Sequence, residues 1–217
     1  MGLFRGTAWY YARFRPRYPE ELLNLLAERA GLDGTGRLLD LGTGTGQLAV
    51  PLARYVEEVV AVDPEQEMLD ELAAPPNLRK VCARAEDVDA SWGAFRLVTI
   101  GNAFHWMDAA ILERLPTDQV ALLGIDFADL QRPSLELAVE MLGPRLAMVH
   151  PDVRYEEALA ASPYSEIERL EVEFERPLTV DDEVGLAFST SYASIERLGE
   201  RRDEYERELR ARVQACC

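Results

Sequence analysis

The segment Asp40-Leu-Gly-Thr-Gly-Thr-Gly46 is the part of this chain best suited to hold a ligand. Its glycines let the backbone turn sharply and let a bound molecule approach with no Cβ in the way. A short apolar run, RLLDLG (37–42), leads into it. A helical pattern, QLAVPLARYV (47–56), follows, and its amino-terminal N–H groups point at the same place. The next apolar run, EVVAVD (58–63), ends on Asp63, 17 residues past Gly46. In a strand–loop–helix–strand unit an acid at that point reaches ribose hydroxyls. The spacing is G-x-G-x-G; the dinucleotide fingerprint needs a glycine where this chain has Gln47. Asp40, two residues before the first glycine, would repel a pyrophosphate and suits a ligand that carries positive charge.

Candidates for proton transfer are few, since the chain has 2 histidines. His105 follows the run FRLVTIGN (95–102), at the strand end where such sheets bind ligands, and Trp106 beside it could wall a pocket. A His-Trp pair opening a helix could equally pack and cap. His150 falls in a linker and receives no role. There is no Ser-His-Asp spacing, no acid pair placed for hydrolysis and no metal-ligand spacing, so no metal is expected. The 3 cysteines, Cys82, Cys216 and Cys217, form neither a disulfide framework nor a spaced metal site. Cys82, next to a strand, is expected in the core.

Strands and helices alternate over residues 19–126, which predicts a parallel α/β sheet. Leu22, Leu25, Leu26 and Ala30 recur at helical spacing in PEELLNLLAERAGL, which ends near Gly31. PEQEMLDELA (64–73) starts with proline at its first helical position. NLRKVC (77–82), FRLVTIGN and QVALLGID (119–126) are expected strands, and AFHWMDAAILERL (103–115) a helix. Residues 133–143, 152–161 and 181–215 are expected to be helical. In 165–180, Leu170, Val172 and Phe174 alternate with Glu171, Glu173 and Glu175, which predicts a half-exposed antiparallel or edge strand. The expected division is an arm or lid over 1–18, a ligand-binding core over 19–130, and a helical, substrate-side region of the same domain over 131–217.

Residues 1–18 hold Arg5, Arg13, Arg15 and Arg17 with Trp9, Tyr10, Tyr11 and Tyr18 and no acid, in a chain of net charge −16. The arm either covers the core with its aromatic rings or closes as a lid on an anionic group. The 217 residues, 48% of them hydrophobic, are enough for one domain with a substantial core. The acidic balance disfavours nucleic acid and anionic membrane as partners. No apolar run approaches the roughly 18 residues of a membrane span and no signal-peptide layout opens the chain, so it is expected to be cytoplasmic.

S-adenosylmethionine has an ammonium, a sulfonium and no phosphate, and so meets both demands of the glycine loop. At these residues the chain resembles the class I S-adenosylmethionine-dependent methyltransferases, in their small-molecule branch (the trans-aconitate methyltransferase-like group). The resemblance rests on YARFRPRYP (11–19), LLDLGTGTG (38–46), VVAVDP (59–64), ARAEDV (83–88) and GNAFHWMD (101–108). It implies a Rossmann-like, mostly parallel sheet with helices on both faces, a helical C-terminal lobe and one antiparallel strand. It also implies S-adenosylmethionine as cofactor and methyl transfer to an oxygen or nitrogen of a small molecule. Gly42, Gly44 and Gly46 would then lie under the methionyl part, with Asp40 nearby and Asp63 on the ribose. Ala85 and Glu86 would flank the adenine, Asn102 would stand near the amino-acid end, and Tyr11 and Arg15 would close over the cofactor. His105 would be the candidate catalytic group and, with Trp106, would line the substrate pocket.

The chain departs from the family in two places. The turn before the fifth strand is shortened to Leu-Pro-Thr-Asp (115–118), and of the antiparallel hairpin that ends the family's sheet only one strand is readable. Either the sheet has six strands or the chain is cut short. A S-adenosylmethionine-binding protein that transfers nothing, regulatory or partner to another chain, is the alternative. The arm's arginines suit an acidic substrate, whereas Asp118, Asp126, Asp129, Glu136 and Glu140 suit an amine; the two stay open, as does the oligomeric state.

Overall fold

The computed structural model describes residues 4–126, 128–143 and 155–216. His150 and Cys217 lie outside them. The chain divides into two compact units, one over 17–125 and 152–174 and the other over the described parts of 1–16, 126–151 and 175–217.

The first unit holds β1 (Arg37–Leu41), β2 (Glu58–Asp63), β3 (Leu78–Cys82), β4 (Leu97–Gly101) and β5 (Val120–Leu123). They form one sheet in the order β3-β2-β1-β4-β5, every neighbouring pair parallel. β1, β2 and β4 are nearly continuous apolar runs because both of their faces are covered. Side chains alternate between the faces. Leu38, Val59 and Leu97 join Leu23 and Leu26 of the helix Glu20–Arg29 on one side. Leu39, Val60 and Val98 join Phe104 and Ile111 on the other. The order of strands reverses between β1 and β4, and in open parallel sheets the crevice above that point takes ligands.

Several expected elements differ in detail. The helix over 47–56 is only Ala49–Leu52, continued by a 3-10 turn at Ala53–Tyr55. The helix over 103–115 is two 3-10 turns, Phe104–Trp106 and Ala109–Arg114. Met107 is extended between them (ψ 155°), and Asp108 Oδ1 starts the second turn by accepting the Ala110 N–H at 3.0 Å. Cys82 is exposed and not in the core: β3 is an edge strand, buried at Leu78 and open over most of its length.

The antiparallel strand over 165–180 does not form; no strand is found among those residues. Thr179 and Asp182 make a reciprocal cap, Thr179 Oγ1 accepting the Asp182 N–H at 3.1 Å and Asp182 Oδ2 accepting the Thr179 N–H at 2.9 Å, so a helix begins at Val180. Upstream, residues 163–170 stand across a cleft of about 600 Å³ from β5 and are not laddered to it. Tyr164 anchors that segment by donating to the Thr117 carbonyl at 3.0 Å, and Phe174 is left 43% exposed. The alternation was real, but the segment is not laddered to any strand.

The second unit is helical: Ala8–Phe14, Ala128–Leu142, Val180–Phe188, Ile195–Leu198 and Arg202–Cys216. Its core gathers Leu137, Phe188, Tyr205, Leu209 and Val213, with Tyr10 packed against it. Gly185 lets Phe14 lie directly on the helix Val180–Phe188, where any Cβ would collide with the ring.

Candidate functional site

β1 delivers the chain to the glycine loop, and the loop is stitched to the end of β2. Thr43 N–H donates to the Val62 carbonyl at 2.9 Å, and Gly44 N–H donates to Asp63 Oδ2 at 2.8 Å. Asp63 Oδ1 accepts a second backbone bond from Glu65 N–H at 2.9 Å. Gly42 has φ +64°, and a Cβ there would meet Ala103 Cβ at 2.5 Å and Met107 Cε at 3.1 Å. The loop after β1 and the segment after β4 are therefore in contact above the switch point. At Gly46 (φ +89°) a Cβ would meet Leu72 Cγ and Val50 Cγ2 at 2.8 Å. The expected helix amino terminus contributes little, since the helix after the loop has 4 residues.

Two carboxylates give this corner its electrostatics. Asp40, 2% exposed, accepts the Thr99 hydroxyl at 2.6 Å. Burial pushes its carboxyl up to about 6; the Thr99 bond works against that shift and the charge of Asp63 adds to it. Asp63, 7% exposed, is also raised by burial, against the pull of the Glu65 and Gly44 N–H groups. Two buried acids beside a backbone loop make a place that resists phosphate and favours a cation.

After β3, Ala85 is buried at the start of a 3-10 turn and Glu86 is half-buried. Glu86 Oε1 accepts the Asp108 N–H at 3.3 Å, and its Oε2 pairs with Arg84 Nε at 3.2 Å. Burial alone would raise Glu86, but its own backbone N–H, Arg84 and Asp108 N–H outweigh it and hold the group below the ordinary carboxylate value. After β4, Asn102 sits in the left-handed region (φ 50°). Its Nδ2 donates to Tyr18 OH at 3.1 Å and its Oδ1 accepts Ile125 N–H at 3.2 Å, so the side chain ties three segments together.

His105 and Trp106 are half-buried, their rings 4.9 Å apart. His105 Nδ1 lies 3.2 Å from Tyr155 OH. Sequence reasoning missed Tyr155, because the two residues are 50 positions apart and nothing local marks the pairing. Thr99 was also missed; a polar residue inside an otherwise apolar strand was its available signal. Tyr11 and Arg15 belong to the helical unit, where Arg15 Nη2 donates to the Ser189 carbonyl at 3.2 Å and its guanidinium lies 4.7 Å over the Tyr11 ring. The structure thus brings Asp40, Gly42, Gly44, Asp63 and the 103–107 segment to one corner. It links Glu86 to that segment's end through Asp108.

An open parallel sheet with a glycine loop and an acid beside its switch point is the layout in which α/β domains take nucleoside ligands. Residues 38–123, the stretch that runs from β1 to β5, match the methyltransferase domain family. It is 40% identical over 112 residues to an uncharacterized methyltransferase of Mycobacterium tuberculosis, covering 51% of this chain and 44% of that protein. It is 30% identical over 126 residues to a protein of Saccharomyces cerevisiae named a probable S-adenosylmethionine-dependent methyltransferase, covering 54% of this chain and 42% of that one. The chain spans less than half the length of the curated relatives it matches. A solved structure from Anaeromyxobacter dehalogenans, assigned as a type II methyltransferase, superposes with a TM-score of 0.51 at 25% identity over 91% of this chain and 89% of that one.

Proposed function

We propose that this chain binds S-adenosylmethionine above β1 and β2 and passes its methyl group to an oxygen or nitrogen of a small molecule. The observation that carries the proposal is the pair of buried carboxylates on the glycine loop, Asp40 below it and Asp63 bonded to Gly44 N–H. A cofactor bearing an ammonium and a sulfonium and no phosphate fits that charge. Its trivalent sulfur supplies an activated methyl group and a neutral leaving group.

The protein's own residues bind, orient and exclude water. Gly42, Gly44 and Gly46 give the methionyl part a surface of bare backbone. Asp63 already spends one lone pair of each oxygen on a backbone N–H, which fixes its plane and leaves the others for ribose hydroxyls. Ala85 and Glu86 flank the base, and Asn102, with its side chain committed, offers its backbone to the amino-acid end. Trp106 and His105 stand on the segment that touches Gly42, next to where a nucleophile must line up with methyl and sulfur. Alignment and dryness are most of what such a displacement needs. A binding protein that transfers nothing is the second reading, favoured by the outer side of β5, which no further strand covers among the described residues.

Calorimetry tests the proposal. S-adenosylmethionine and its demethylated product should both bind and NAD should not. Asp63→Ala should weaken the cofactor roughly 30- to 150-fold, the loss of about 2–3 kcal/mol of charge-assisted hydrogen bonding. Tighter binding of NAD, or a change under about threefold on losing Asp63, would overturn the assignment. Release of demethylated product on adding small-molecule extracts separates transfer from binding alone.

A further inference from the structure

We infer that Thr99, sealed in the middle of β4, is a positioning residue for the ligand corner: its hydroxyl holds Asp40 in the charged form that a cationic ligand needs. The inference rests on the function proposed above for the nature of that ligand, and on packing alone for the charge.

Thr99 stands directly opposite Asp40 in the pairing of β4 with β1. Both are closed to water, Thr99 at 0% exposure and Asp40 at 2%. The neighbours of Thr99 along the strand, Leu97, Val98 and Ile100, are apolar, as a strand covered on both faces should be. A threonine among them leaves a hydroxyl to satisfy in the interior, at a cost unless something takes its hydrogen. Asp40 Oδ1 takes it at 2.6 Å. Thr43 acts on the same carboxyl from the glycine loop, but its buried hydroxyl closes no hydrogen bond of good geometry.

The surroundings of Asp40 favour the neutral acid. Its partner on β2 is Ala61, and the face that it shares with Leu38 is covered by Leu23, Leu26 and Leu52. Lys80 falls in the same row two strands away, where its ammonium donates to the Leu69 carbonyl at 2.6 Å. Asp63 is the charged side chain that bears on Asp40, and its charge opposes ionisation. Burial is the largest influence and lifts the carboxyl to about 6; the hydroxyls of Thr43 and Thr99 and the Ala49 N–H pull it back.

A hydroxyl can give its hydrogen to a carboxylate or take one from a neutral acid. The first bond is roughly twice as strong as the second. Thr99 therefore biases Asp40 towards its charged form, however the neutral state is arranged. Asp40 lies two residues before Gly42, so the charge stands beneath the loop that a cation would approach. Without the Thr99 hydroxyl the corner would stay neutral to higher pH and would lose part of its preference for a cation.

Thr99→Val keeps the shape of the side chain and deletes the hydroxyl, whereas Thr99→Ser keeps the hydroxyl. Carboxyl-carbon labelling of aspartate in the ligand-free protein, with Asp40→Asn marking the signal, reads the titration of Asp40 itself. Its midpoint should rise by about one pH unit in Thr99→Val, the difference between a charge-assisted and a neutral bond, and return close to the wild-type value in Thr99→Ser. Calorimetry then reads the ligand. S-adenosylmethionine should bind Thr99→Val about threefold more weakly than wild type at about pH 6.5 and almost equally at about pH 7.5, where both proteins carry the charge. Methylthioadenosine, which has neither ammonium nor sulfonium, should show no such pH-dependent difference. Lost packing alone would weaken both ligands alike at every pH. An Asp40 midpoint unchanged in Thr99→Val, or equal losses for the two ligands, would overturn the inference. If the wild type bound neither ligand, the proposed function would fall, while the titration would still decide what holds the charge.

Discussion

The two units bury different kinds of polar group. The sheet unit buries charge: Asp40 and Asp63, together with Thr43, Thr45 and Thr99 around the glycine loop. The helical unit buries hydroxyls: Thr7, Ser134, Ser189, Thr190, Ser191 and Ser194. Many of those hydroxyls are spent locally, as Ser189 Oγ and Thr190 Oγ1 donate to carbonyls three residues back at 2.6 Å each. A hydroxyl satisfied in its own helix turn costs the fold little. A buried carboxylate held above its ordinary protonation range is paid for by the rest of the fold, and such groups concentrate where ligands bind. The contrast separates a scaffold from a site, although both interiors contain polar atoms.

The largest expected effect lies where the loop meets the segment after β4. Gly42→Ala forces a side chain into the left-handed region and against Ala103, and should cost about 3–4 kcal/mol, from roughly 1–2 for the backbone and the remainder for overpacking. Urea unfolding measures it, and a loss below about 1 kcal/mol would mean that the two segments do not share a fixed contact.

Next is the cost of the buried charge. Asp40, ordinarily near 3.8 and pushed to about 6 in the fold, makes the folded state bind more protons than the unfolded one between those values. Stability from this group is therefore highest at low pH and falls as pH rises through about 4 to 6, by about 3 kcal/mol in all. Asp40→Asn should remove that fall. Its stability relative to wild type should grow from pH 4 to pH 7, read from urea midpoints across the range. Parallel pH profiles for the two proteins would erase the distinction between the units.

The smallest effect belongs to the helical unit. Tyr192 OH and Ser134 Oγ are 2.8 Å apart in its interior. Tyr192→Phe should cost about 1 kcal/mol, one neutral hydrogen bond, with no pH dependence between about 5 and 8. A pH-dependent loss would reveal a buried charge coupled to that hydroxyl and would sharpen the comparison in the opposite direction.

Much of the sheet could be read from residue order, because the runs RLLDL, EVVAVD and LVTIG are apolar on both faces and only a covered parallel strand has that character. The glycine loop and Asp63 were readable for a related reason: positive φ and close approach restrict residue type, so local sequence carries them. What escaped was decided by partners distant in the chain. The run over 165–180 alternates as a strand should, but pairing needs a neighbour, and β5 lies across a cleft from residues 163–170. Residues 103–115 have helical spacing, yet Asp108 takes up the Ala110 N–H and restarts the chain in mid-course. The tie between His105 and Tyr155 exists only in three dimensions.

The register of β1 bears on how this chain comes to be folded at all. Leu38 pairs with Val59 on one side and with Leu97 on the other. The first pairing closes a short crossover, whereas the second must enclose β2, β3 and everything between them. Closure entropy grows with the length enclosed, and non-local parallel pairing is intrinsically slow. The contact of Gly42 with Ala103 and Met107 belongs to that second, late closure. A newly made chain would therefore carry a finished β1–β2 hydrogen-bond ladder well before it had a crevice to offer. A molecule that binds between the loop and the end of β4 would act as a timer of maturation, engaging the protein only when the chain has come back to β1 through β4.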